Sequence, residues 1–105
     1  MGGAPETSAE IRATLAENRA LRAARQRDWT TAVTSFAEAA ETWSTLGATI
    51  WLVRALIWQS AALRGAGRED ECAQVELPIP GLLADLRTPD GVADSFVTQL
   101  TAVTA

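Results

Sequence analysis

The chain has 105 residues, 48% of them hydrophobic and 21% charged, with a formal charge of −4. These figures describe one folded domain with a modest core, argue against disorder, and make nucleic acid an unfavourable partner. Histidine, lysine and tyrosine are absent and cysteine occurs once. A histidine-based triad, the usual zinc ligand sets and an internal disulfide are thereby excluded, and neither a metal nor a cofactor is expected.

Met1–Glu6 contains no basic stretch leading into an apolar run, so it does not read as a signal peptide. The first predicted helix runs from Ser8, its N-cap, to Arg25. Ile11, Leu15 and Leu21 mark its apolar side, and Ala16, Ala20 and Ala24 allow a neighbour to approach closely. The second runs from Trp29 to Leu46 with Asp28 as cap. Ala32, Phe36, Ala39, Ala40 and Trp43 share one face, and Gly47 supplies the left-handed stop.

The third helix, Ala48 to Arg64, is apolar on nearly every side and must be surrounded; only Arg54, Gln59 and Ser60 interrupt it. It lies in the most membrane-like segment, Leu46 to Leu63. An arginine at mid-bilayer costs about 2.5–3.5 kcal/mol, so no membrane span and a cytoplasmic location are expected. Gly65-Ala66-Gly67 ends this helix. A fourth runs from Arg68 to Glu76, and Leu77-Pro78-Ile79-Pro80 reads as an extended strap because proline breaks helices. After a short turn from Gly81 to Arg87, a last helix runs from Pro89 to Val103, with Thr88 as cap and Val92, Phe96, Val97, Leu100 and Val103 on its apolar side. No strand pattern competes, so the fold class is all-α, an antiparallel bundle of four to five helices.

The stretch from Ala20 to Ala39 resembles a tetratricopeptide repeat, the family of stacked helical hairpins found in bacterial and other scaffolds. The resemblance rests on Ala20, the turn at Asp28-Trp29, and Ala32, Phe36 and Ala39. Ala39 to Leu63, with Trp43-Ser44-Thr45-Leu46-Gly47, looks like repeats of large actinobacterial regulators and ATPases. Ala16, Arg19 and Ala23 stand where larger apolar residues are usual, and Ser44 where proline is. The family implies a repeat-like hairpin at 8–46 and a degenerate second one at 48–76. In the second, Gly67-Arg68-Glu69 forms the turn, Cys72 takes the small position and Glu76 the aromatic one. The strap at 77–88 and the last helix at 89–103 complete one domain.

The same resemblance implies a protein-interaction module or obligate subunit with a scaffold or regulatory role, and a homodimer or other protein partner that covers the third helix. Trp51, Leu52, Leu56 and Trp58 are the expected contact residues. Arg12, Arg19 and Arg22, on one side of the first helix, read as a solvated face or a docking surface for an acidic partner. Arg54 calls for a carboxylate partner if buried, and Glu38 or Glu41 is the expected one. Pairs such as Glu38 with Glu41, or Asp85 with Asp90 and Asp94, occur in any acidic helical chain, so no catalytic residue is assigned. Two alternatives stay open: a small-molecule-binding bundle with a pocket lined by tryptophans, and an accessory subunit of a biosynthetic enzyme.

Overall fold

The computed structural model of the chain describes residues 5–87 and 91–104. Among these there are six helices and no strand: α1 (Pro5–Arg25), α2 (Trp29–Leu46), α3 (Thr49–Gly65), α4 (Glu69–Glu76), α5 (Ile79–Leu86) and α6 (Val92–Thr104). The molecule is an all-α bundle. α1 packs along α2 and α2 along α3. α4 and α5 close the far side of α3, and α6 lies across both α1 and α3.

One device makes the first three chain reversals. The N–H groups of Asp28, Ala48 and Arg68 donate to the carbonyls of Ala23, Trp43 and Leu63 at 2.9, 3.0 and 2.9 Å. The residue before each donor is left-handed: Arg27 (φ 61°), Gly47 (φ 71°) and Gly67 (φ 76°). Such a turn satisfies the last free carbonyls of the helix it ends. A left-handed residue ends α5 as well, Arg87 (φ 53°), whose N–H donates to Ala84. Positions 27, 47, 67 and 87 therefore mark the chain at twenty-residue steps. Asp28 also caps α2, its side chain accepting from the Thr31 N–H at 3.3 Å.

α1 corrects the sequence reading twice. It begins at Pro5, so Ser8 is not its cap but lies inside the first turns; proline suits a helix start because the N–H it lacks would be free there. Of its large aliphatic side chains only Leu21 packs against the core. Ala13, Ala16, Ala20, Ala23 and Ala24 are buried, whereas Ile11 and Leu15 are each 55% exposed. Alanines let the backbones of α1 and α2 come close, and the close approach selects the small face over the large one.

α3 is largely wrapped within a single copy of the chain. Val53, Ala55, Ile57, Trp58, Ala62 and Leu63 are buried among α2, α4, α5 and α6, and Trp51 is its one exposed large apolar residue. Trp58 stacks at a tilt on Phe36, with ring centroids 5.9 Å apart, and its indole N–H donates to the Phe96 carbonyl of α6 at 2.8 Å.

The strap from Leu77 to Pro80 is not extended. Leu77 (φ −52°, ψ −46°) and Pro78 (φ −78°, ψ −12°) are both right-handed helical, and Ile79 and Pro80 open α5. Both prolines sit where the helix-starting N–H groups have no partner to lose, and the Pro78 carbonyl accepts from the Leu82 N–H at 3.1 Å. Buried Ile79 turns α5 back onto α3. The short turn expected from Gly81 is thus part of a longer helix. The last helix, expected from Pro89, is α6 from Val92; Thr88 and Pro89 lie outside the described residues.

Candidate functional site

The polar centre of the bundle is a carboxylate set into the alanine face of α1. Glu17 falls between Ala13, Ala16 and Ala20, which turns it inward, and it is 4% exposed. One carboxylate oxygen accepts from Arg54 Nη2 at 2.7 Å and the other from the indole N–H of Trp43 at 3.1 Å. Three helices therefore meet on one side chain. A buried carboxylate needs such partners, because transfer from water without them costs several kcal/mol.

Arg54 is held by more than its ion pair. Its guanidinium carbon lies 4.5 Å from the ring centroids of both Trp51 and Trp58. The spacing explains this: Trp51 is one turn before Arg54 on α3 and Trp58 one turn after, so the three share a helix face. Trp51 in turn meets Trp43 at 6.4 Å between centroids. Arg54 Nε is buried and has no hydrogen-bond partner. The expected partner of Arg54 was Glu38 or Glu41, and the structure replaces both with Glu17. Glu38 and Glu41 lie on the outer side of α2, where both are exposed. Glu38 pairs there with Arg19 at 3.6 Å, and both acids line a groove of about 300 Å³ with Arg12.

Of the residues assigned to a contact surface, Trp51 is exposed, Leu52 and Leu56 are half-buried, and Trp58 is buried. Trp58 is removed from any surface by the packing of Phe36 and α6. Above the polar centre, Glu10 and Thr14 of α1 face Trp51, Trp43 and Arg54 across an open cleft of about 290 Å³. Arg12, Arg19 and Arg22 are all exposed on α1.

Sequence reasoning missed Glu17. Its signal was present: one carboxylate interrupts the alanine sequence 13, 16, 20, 24 at the spacing of a single helix face. The larger Ile11 and Leu15 mask it, because hydrophobicity alone favours them for the packed side.

Elsewhere, Cys72 is buried against α3, its thiol donating to the Ser60 carbonyl at 3.3 Å, and burial pushes its pKa up. That disfavours the thiolate a nucleophile needs. Arg68, just before α4, holds Glu71 through two hydrogen bonds of 2.7 and 2.6 Å. These bonds raise the pKa of the guanidinium and lower that of the carboxyl. Among the described residues no three acidic or sulfur side chains converge as a metal site, and no helix is long and apolar enough to cross a membrane. No family model, curated protein or solved structure matches this chain.

Proposed function

We propose that the chain is a protein-interaction module, a scaffold or regulatory subunit whose docking surface is the outer face of α1. The observation that carries this reading is the inversion of α1, which buries its alanines and displays Ile11 and Leu15. These two residues lie one turn apart on the solvent side, and Arg22 continues their line two turns beyond Leu15. Two large aliphatics exposed side by side on one helix face support a contact surface there. Arg12, Arg22 and Arg25 flank the ridge and make no ion pair with any described residue. A partner that fits this surface carries an apolar ridge bordered by carboxylates.

A second copy of the chain has that chemistry. Residues 66–105 hold seven acidic residues against two arginines, and Leu77, next to Glu76, is 71% exposed. α4 and α5 are packed on α3; Glu71 and Glu76 are paired with Arg68 and Arg64, and the exposed Glu69 and Asp70 are the acids of α4 left to meet α1 of another copy. The resemblance to stacking helical hairpins supports the same reading, since such units cover their open faces with a neighbour. Sedimentation of the full chain at rising concentration tests it. Association that weakens at high salt, and that Leu15→Glu abolishes, is the expected result. A monomer at every concentration and at low salt overturns self-docking.

A further inference from the structure

A second feature, a cleft beneath α6 that is partly open to solvent past Val97 and Thr101, is not used by the interaction reading. α6 crosses α1 and α3 where both are narrow: Ala24, Ala61 and Ala62 leave a chamber of about 170 Å³, walled by Trp29 and Phe36. Leu100, Thr101 and Thr104 of α6 cover it.

The polar groups around this chamber are almost all committed. The hydroxyl protons of Thr101 and Thr104 are donated to the Val97 and Leu100 carbonyls at 3.0 and 2.8 Å. Among the lining side chains only the Trp29 indole N–H keeps a donor with no acceptor among the described residues. The two hydroxyl oxygens can still accept, so the polar groups here are the Trp29 N–H and two threonine oxygens, and the rest of the lining is apolar. An apolar space of about 150 Å³ is large enough for a benzene-sized molecule, and this cleft, mostly apolar in its lining, has about that room.

The Trp29 wall is also held in place. A Cβ on Gly65 would lie 2.9 Å from the Trp29 ring, so only glycine lets the indole lie against the last turn of α3. The Arg27 guanidinium covers the ring at 5.7 Å from its centroid. The chamber is therefore bounded by a seated aromatic side chain and an alanine floor, with little side-chain freedom to lose when it is filled.

We propose that this chamber is a binding site for an uncharged, compact molecule of single-ring size, a monocyclic aromatic or a branched hydrocarbon. Charged and extended ligands are excluded by the lining and by the volume. Because α6 provides the cover, an occupant ties α6 to α1 and α3 and raises the melting temperature.

Titration of the full chain with toluene, followed in proton–nitrogen correlation spectra, tests the site. Saturable shifts of the Ala61, Ala62 and Leu100 amides are expected, and benzoate, of the same ring size but charged, leaves them unmoved. Ala62→Leu fills the chamber from the floor and abolishes saturation. Should that variant fail to fold, Thr101→Phe fills it from the exposed side of α6 and gives the same result. Shifts that never saturate, equal shifts with benzoate, or saturable binding that survives a folded filling variant each overturn the proposal.

Discussion

Removal of either member of the Glu17–Arg54 pair is the sharpest test of how this bundle is held. Consider Glu17→Met first. The guanidinium then keeps its two tryptophan faces but has no anion, and the Trp43 N–H loses its acceptor. Breaking a buried pair from one side costs about 3–5 kcal/mol. The Arg54 side chain is 20% exposed, against 5% for Glu17, so water relieves part of that cost and about 3 kcal/mol is the working value, the orphaned indole N–H included. Arg54→Met leaves the more deeply buried charge alone, with one neutral donor, and costs more, about 4 kcal/mol. At about 4–8 °C per kcal/mol for a domain of this size, the two losses lower the melting temperature by roughly 12–24 and 16–32 °C. The double variant removes both charges and keeps similar volume but still orphans the Trp43 N–H, so it is expected about 1–2 kcal/mol below the native chain, above either single variant. Chemical denaturation of the four proteins closes the cycle. If each single variant loses less than about 0.5 kcal/mol, the pair behaves as a solvent-screened surface bridge and the reasoning fails.

Other perturbations probe the turns and the core. Gly65→Ala drives a methyl into the Trp29 ring and is expected to destabilise by about 1–3 kcal/mol, with a shift in tryptophan emission. Arg87→Gly relieves a left-handed non-glycine residue and is expected to stabilise by about 0.5–1 kcal/mol in thermal melts, whereas Gly67→Ala does the reverse. Cys72 is expected to resist thiol reagents until the chain unfolds, so its labelling rate should track denaturant. Its pKa is raised in the folded state, so stability present below the ordinary thiol pKa is lost as pH climbs through and above it. The bond to Arg68 lowers the Glu71 pKa, so the stability it contributes is present above the ordinary carboxylate range and lost as pH falls below it; Glu71→Gln is expected to flatten that acid limb.

The helix joins were readable because their chemistry is local. Asp28 can cap only its own helix and Gly47 can end only the one it follows, so both assignments agree with the structure. The prolines at 78 and 80 were ambiguous, since the same missing N–H that breaks a helix interior is harmless at its start. What decided between the two was Ile79 reaching the core, a tertiary fact. α1 failed for a related reason. Periodicity detects which residues share a face, but not whether a neighbour prefers a face of alanines to one bearing Ile11 and Leu15. That misplacement carried Arg54 with it: with Glu17 unnoticed on the alanine side, Glu38 and Glu41 were the nearest carboxylates left to choose. The tryptophans divide in the same way. Trp51 and Trp58 share a helix side by spacing alone, yet the packing of Phe36 and α6 separates the buried ring from the exposed one.

The methyl-lined seam of α1 has a consequence for how the molecule breathes. Each buried methyl contributes on the order of 0.8 kcal/mol, far less than a leucine or phenylalanine in the same place. The first helix is thus held by proximity, by one buried ionic clasp at mid-length and by the exposed Arg19–Glu38 pair, while the second and third are locked by Phe36, Trp58 and Leu63. Amide exchange should accordingly resolve two tiers: the leading helix opening as a unit at modest cost, and the central pair exchanging only when the whole chain melts.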